Sequence, residues 1–413
     1  MSLPARSIAF LCSSGLHVRL FAPVIRCLQA AGHWCPVIVS LDAFYADLHG
    51  NVAATVEALG LQVVVEPVSF RHGASPNRWL RGLQTVGAAR WTGACQYRAL
   101  LRRQGVALLV LGNDTGLAEL VAIDAARGSR VPTLLVQDGF LSNRFALATA
   151  EARQQLQREK RKIAWLGKLF GGRPYGLGGC DVIAAYGAFW ADILRAQDGR
   201  GTTRIEVVGH PFLTFDEARG ATPGEGTVTY FCTNFLRSNL QDEAAHRSQL
   251  REVLAIRALL DECGVSASVL RVKLHPVDQR SDYQLLEGRD GIELLQGGEL
   301  RAVIASSWFC LTNISSVVLD CAAEARPCLM SGLSVAHGLY AALFEALPGL
   351  KAADAEALRA WILRLQSPEG MVEVLQAQRE GLAPYVSIEP GRSGALRLAQ
   401  LAAGLAAEGL RVQ

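Results

Sequence analysis

Charge is scarce in this 413-residue chain and leans to neither sign: 19% of residues are charged, and 41 basic against 38 acidic residues leave a formal net charge of +3. A chain so balanced offers no field of one sign, which argues against nucleic acid as a partner. The ten cysteines (Cys12, Cys27, Cys35, Cys95, Cys180, Cys232, Cys263, Cys310, Cys321 and Cys328) never form a CxxC pair and sit mostly in apolar runs. They read as buried reduced thiols, not as a disulfide framework or a zinc site. No uninterrupted apolar run reaches the ~18 residues that a membrane span needs. Met1 to Arg6 lead straight into a strand pattern, without the separate charged and apolar regions of a signal peptide. A cytoplasmic location is the expectation. No aspartate pair of DxD type is present to hold a metal, so none is expected.

What is plentiful is apolar residue and glycine. Half of the residues are apolar and 40 are glycine, enough for sizeable cores and for the tight turns of alternating strands and helices. The length suggests two domains. Short β-branched runs alternate with helical patterns at Ser7 to Cys12, Pro36 to Leu41, Leu61 to Glu66, Val106 to Leu111, Pro132 to Gln137, Asp181 to Tyr186 and Arg204 to Gly209. A second series follows at Thr227 to Thr233, Ala267 to Leu274, Gly291 to Leu295, Phe309 to Thr312 and Pro327 to Met330. Alternation of this kind predicts βαβ units on parallel sheets. Between the series, residues 214–226 are rich in glycine, proline and charge, which places a boundary near residue 220. A basic run, RQQLQREKRKIAWLGK from Arg153 to Lys168, reads first as a solvated helix face. With Trp165, Leu169 and Phe170 it reads alternatively as a surface, 153–170, for anionic lipid or an acidic acceptor.

The residues able to carry chemistry cluster at predicted strand ends. After the first strand, Ser13, Ser14 and Gly15 form a small-residue turn, with a helix from Val18 to Ala31 stopped by Gly32. Amides of such a turn attract anions or hydroxyls, although many only connect a strand to its helix. His17 and Arg19 would face the mouth of the sheet, where ligands of open α/β sheets bind. The run PTLLVQDG stays apolar until Gln137, so Asp138, followed by Gly139, is its first carboxylate and can act as a base toward a substrate hydroxyl. Capping of the turn is the competing reading. Asp114 stands in the same place one unit earlier, where an Asx-turn or a helix N-cap is preferred. In the second series, RVKLHP ends in His275-Pro276. Pro276 stops the strand and directs an imidazole that can donate to a phosphate or a leaving oxygen. LTNISSVVLD then combines Thr312, Ser315 and Ser316 with a helix that carries Asp320, an arrangement that suits a diphosphate and also plain N-capping.

The order of GLHV, QDG, VGHP, KLHP and TNISSVVLDCAAEARPCLM resembles the GT-B superfamily of nucleotide-sugar enzymes over essentially the whole chain. The resemblance implies an α/β fold of two Rossmann-like domains facing each other across a cleft. Residues 1–220 would form the acceptor domain and 221–413 the nucleotide-donor domain, with the helix 391–409 able to pack back on the first. Bacterial capsule and polysialic-acid transferases carry an acidic-acidic-Gly motif, then His-Pro and Ser-Ser, matched here by Gln137-Asp138-Gly139, His275-Pro276 and Ser315-Ser316. Gln137 departs from the first acidic position. Glycerophosphotransferases of teichoic acid synthesis share the last two elements. Non-hydrolysing UDP-N-acetylglucosamine 2-epimerases carry Glu-Ala-Gly in place of QDG and Ser-Gly-Gly in place of Ser315-Ser316-Val317, two departures that favour a transferase. The resemblance thus implies sugar transfer from a CMP-, CDP- or UDP-linked donor to a glycan or glycolipid acceptor in bacterial surface-glycan synthesis, without cofactor or metal. A 2-epimerase and a CDP-dependent glycerophosphotransferase are its alternatives. Asp138 would be the catalytic base. His275, Pro276, Thr312, Ser315, Ser316 and Asp320 would hold the donor, with His275 also aiding departure of the phosphate. Ser14, Gly15, His17, Asp114 and Gly139 would line the acceptor side. Peripheral contact with the inner membrane face through 153–170 completes the expectation.

Overall fold

A computed structural model describes residues 6–45, 51–69, 77–139, 175–197, 203–211, 213, 227–236, 242–265, 269–335, 340–341, 344–345, 347–387 and 392–411. The proposed linker 214–226, with its boundary near residue 220, and the basic segment 153–170 lie outside the described residues. The chain divides into two compact units.

The first unit is built on a parallel sheet of β1 (Ser7–Cys12), β2 (Cys35–Ser40), β3 (Val64–Pro67), β4 (Val106–Leu111), β5 (Thr133–Val136), β6 (Val182–Ala185) and β7 (Arg204–Val207), in the order β3-β2-β1-β4-β5-β6-β7. SIAFLC and VALLVL are buried along their whole length, as strands covered on both faces must be. Reversal of the strand order between β1 and β4 opens a crevice at the carboxyl ends of these two strands. The first helix begins at Gly15, three residues before the predicted start, because the Gly15 amide is satisfied by Asn51 Oδ1 at 2.8 Å. Gly32 ends it at φ 73°, with its N–H donating to Leu28 and Gln29. The C-terminal helix, predicted over 391–409, spans Gly394–Arg411 and packs on Gly15–Ala31 and on β4 of this unit.

The second unit, Leu213–Ala383, repeats the plan with β8 (Thr227–Phe231), β9 (Leu270–Lys273), β10 (Ile292–Leu295), β11 (Ser307–Thr312), β12 (Cys328–Ser331) and β13 (Leu350–Ala352), ordered β10-β9-β8-β11-β12-β13. Its switch point lies between β8 and β11. The edge strand β13 was not predicted, since three residues are too short for a periodic signal. Tyr230, Tyr283, Trp308 and Phe309 anchor its core, each burial worth about 1.5–3 kcal/mol. Among the cysteines, Cys35 and Cys95 are exposed and Cys27 is half-buried, which corrects the expectation of burial at those three positions; the other seven are buried and all are free thiols. Among the described residues no helix is long and apolar enough to cross a membrane.

Candidate functional site

The carboxyl ends of β1, β4 and β5 bring Ser13, His17, Asn113 and Asp138 to the rim of one pocket of ≈ 420 Å³ in the first unit, with Ser14, Gly15, Arg19, Asn51 and Thr55 also in its wall. His17 is buried and Asp138 is not, with side-chain exposures of 5% and 45%. The Ser13 N–H donates to His17 Nδ1 at 3.2 Å, so the ring hydrogen sits on Nε2, which donates to Asp138 Oδ2 at 3.1 Å. Both ring nitrogens are thereby occupied within the unit, and among the lining residues Asp138 is the carboxylate. Gly15 is required at the wall, because a Cβ there would stand 2.6 Å from Asn51 Oδ1.

Three further residues hold the turn that carries Asp138. The Tyr175 hydroxyl donates to the Val136 carbonyl at 2.8 Å and accepts from the Asp138 N–H at 3.2 Å. Burial, with the Asp114 and Asp138 carboxylates nearby, raises the Tyr175 phenol well above its usual range, so it stays a donor. Gln137 is fully buried: its Nε2 donates to the Gly139 carbonyl at 2.9 Å and its Oε1 accepts from the Tyr186 N–H at 2.9 Å. A carboxylate could make only the second bond, which gives a physical reason for the glutamine in place of an acidic residue. Gly139 turns the chain at φ 68°.

Asp114 corrects the sequence reading. It is fully buried, and its two oxygens accept from the amides of Gly176 at 2.8 Å and Gly178 at 2.6 Å, so it is a structural clasp and has no access to an acceptor. The Asx-turn expected of it is made by its neighbour, since Asn113 Oδ1 accepts from the Thr115 N–H at 3.0 Å.

In the second unit, the ends of β9, β8 and β11 are adjacent, which places His275 and the 312–316 turn on either side of the segment following β8. His275 is half-buried; Val277 N–H approaches its Nδ1 at 3.4 Å, leaving hydrogen on Nε2. Burial lowers its pKa, aided by Lys273 and opposed by Asp278, and so favours the neutral ring. Pro276 is exposed beyond the strand end. Ser315 Oγ accepts from the Val317 N–H at 3.3 Å, while Ser316 is exposed and its side chain makes no cap bond to helix Val317–Ala323. Thr312 is a second correction: it is fully buried and its hydroxyl donates to the Phe231 carbonyl at 3.0 Å, so it is not available to a ligand. Asp320 lies within helix Val317–Ala323, where burial pushes its carboxyl up to about 6 against the attraction of Arg301. Sequence reasoning missed Asn51, Thr55 and Tyr175, and in this unit Tyr230, Gln249, Glu252 and Asn313. Among the described residues, no three of His, Cys, Asp and Glu converge as a metal site requires.

No protein-family model and no curated protein matches the chain. Solved structures do. A UDP-glucosyltransferase from Polygonum tinctorium, in complex with 3,4-dichloroaniline, covers 98% of this chain and 100% of its own at 14% identity and TM-score 0.60. The two units have the GT-B fold. A UDP-N-acetylglucosamine 2-epimerase covers 100% and 98% at 13% identity and TM-score 0.59. The kitacinnamycin glycosyltransferase covers 97% and 99% at 16% identity and TM-score 0.55. At these identities the likeness is one of fold, and the GT-B fold serves transferases and epimerases alike.

Proposed function

We propose that this protein transfers a sugar from a nucleotide-sugar donor to an acceptor hydroxyl, with Asp138 as general base. The observation that carries the reading is the His17–Asp138 pair: a buried imidazole with both nitrogens engaged, donating to a half-exposed carboxylate at 3.1 Å. A carboxylate so oriented can take the proton of a hydroxyl as it attacks the anomeric carbon. His17 acts by positioning it. Ser13, Ser14, Asn51, Thr55 and Asn113 make the pocket wall polar, which suits a hydroxyl-rich acceptor such as a glycan.

His275 and the Ser315-Ser316 turn form the donor side of the proposal. A neutral imidazole with hydrogen on Nε2, together with the hydroxyls and amides of the turn, can donate to the phosphate that departs as the glycosidic bond forms. The nucleotide-sugar class is supported by the fold neighbours, among them a Phytolacca americana enzyme solved with UDP-2-fluoro-glucose. A role in bacterial surface-glycan synthesis and metal-independent catalysis belong to the same proposal.

The second reading, a nucleotide-sugar 2-epimerase, is favoured by the epimerases among the fold neighbours. Incubation with UDP-N-acetylglucosamine and no acceptor separates the two. A transferase leaves C2 of the sugar unchanged and consumes donor only when an acceptor is added, whereas release of the 2-epimer without acceptor would overturn the transferase reading.

A further inference from the structure

Helix Glu243–Glu262 buries a polar stripe where an amphipathic helix ordinarily buries apolar side chains: His246, Gln249 and Glu252, spaced three residues apart and 5%, 0% and 2% exposed. Burying such groups is costly unless each finds a partner. Their partners all lie at the carboxyl edge of the second sheet. His246 Nε2 meets the Asp282 carbonyl at 2.9 Å, beyond His275. Gln249 Oε1 accepts from the Thr233 N–H at 2.8 Å and from Asn313 Nδ2 at 3.2 Å. Glu252 Oε2 accepts from the Tyr230 hydroxyl at 2.9 Å and from the Ser334 hydroxyl. Asn313 joins the stripe to the turn: its Nδ2 donates to the Tyr230 oxygen at 3.2 Å, and its Oδ1 accepts from the Ile314 N–H at 2.7 Å, one residue before Ser315.

We propose that Glu252 is a positioning residue for the donor-phosphate turn, acting through Tyr230 and Asn313, and that its ionised form is the one that holds Ser315 and Ser316 in their binding geometry. The inference rests on the donor reading given above. Every hydrogen in the chain points toward the carboxylate, from Asn313 to Tyr230 and from Tyr230 and Ser334 to Glu252. An ionised acceptor makes the terminal bonds roughly twice as strong as a neutral one does. Protonation of Glu252 therefore loosens the chain from its far end. Burial pushes the Glu252 carboxyl up to about 7, opposed by the surrounding hydroxyls, so the change falls within the working range of pH. The titratable groups facing it from β8 and the residue after it are Tyr230 and Cys232, both held protonated by burial. From beyond β11 and β12 it meets the uncharged Asn313, Ser331 and Ser334. Donor affinity should rise as pH passes upward through the titration of Glu252. His275 acts in the opposite sense, since its protonated ring would bind phosphate more tightly as pH falls, and its lowered pKa puts that effect below the ordinary histidine range.

The test is calorimetric titration with UDP-glucose, dTDP-glucose, GDP-mannose and CMP-N-acetylneuraminate, whose phosphates keep a constant charge between about pH 6 and pH 8. The wild type should bind its donor about fivefold to tenfold more tightly at the upper end, the size of coupling that networks of this kind carry. Glu252→Gln, which retains an acceptor for Tyr230, should bind more weakly than wild type at the upper end and show no such step. Tyr230→Phe, which cuts the link to Asn313 and leaves the carboxyl in place, should also lose the step, and it decides the matter alone if the glutamine variant does not fold. A flat wild-type profile, or a variant with the wild-type step, overturns the proposal. Failure of the wild type to bind any of the four donors instead rejects the donor reading, and this inference with it.

Discussion

The ring of His17 occupies the space over Gly112: a Cβ on Gly112 would stand 2.8 Å from both Cδ2 and Nε2, and Nε2 is the nitrogen that donates to Asp138. Gly112 follows β4 directly, so a fixed backbone and a buried ring meet there with no room to adjust. Gly112→Ala should displace the imidazole and turn Asp138 away from its orientation. Misplacement of a reacting group by about 1 Å can cost about 10²-fold in rate. Turnover should fall by that order, with about 1–3 kcal/mol of stability lost to the overpacking and nucleotide affinity at the wild-type value. Full turnover would show that the His17–Asp138 bond does not orient the base.

Asp114→Asn separates a clasp from a catalytic group. Both oxygens accept amide hydrogens, and an asparagine would turn its NH2 toward the N–H of Gly176 or Gly178. Loss of one buried hydrogen bond with its acceptor should cost about 1–3 kcal/mol, read by chemical denaturation. The surviving folded enzyme should retain its turnover; normal stability with collapsed turnover would restore Asp114 to the site.

Gln137→Glu tests why the acidic position of the motif is filled by an amide. The introduced carboxyl is buried, so its pKa is raised in the folded state, and it can donate to the Gly139 carbonyl only while protonated. Its contribution to stability is present below the unfolded pKa and lost as pH rises through the folded one. Urea denaturation should find the variant near wild type at about pH 4 and about 1–3 kcal/mol less stable at pH 8. Equal stability at both pH values would mean that the Gln137–Gly139 bond is unimportant.

Asp138 could be read from the sequence because an apolar strand points to its own end, and the first carboxylate beyond it must lie at the sheet edge. Both sheets were legible for the same reason, as alternation of buried strands with helices leaves a repeating pattern. The partners of these residues left no comparable signal. Asn51 and Thr55 reach the pocket wall from a different helix, and Tyr175 grips the Asp138 turn from 37 positions further along the chain. Glu252 and Gln249 look in sequence like any polar residues of a helix, and only the packed sheet shows that they face inward. Thr312 misled in the converse way, since it stands at a strand end where a ligand group would stand and its hydroxyl donates to a backbone carbonyl. Asp114, for which the sequence prefers a turn or cap role, does hold backbone amides, but those of Gly176 and Gly178 and not of its own turn.

Ser315 and Ser316, replaced together by alanine, should weaken nucleotide-sugar binding by about 1–3 kcal/mol, the worth of hydrogen bonds to a charged group. Only Ser315 caps the following helix, through the Val317 N–H, so the loss of fold stability should be confined to about 1 kcal/mol. Calorimetry and thermal melting on the same double variant distinguish the two effects. Unchanged affinity in a folded protein would remove this turn from the donor site.

Asp138→Asn tests the central claim most directly, because the amide keeps the shape of the side chain and its contact with His17 and removes only the capacity to take a proton. Loss of a general base costs about 10²- to 10⁴-fold in rate. Turnover of donor and acceptor should therefore fall by that order, with donor affinity and melting temperature close to wild type, since the phosphate site proposed above is built from residues of the second unit. Near-normal turnover by the asparagine variant would contradict the account, because it would leave the His17–Asp138 pair as a structural turn and no more.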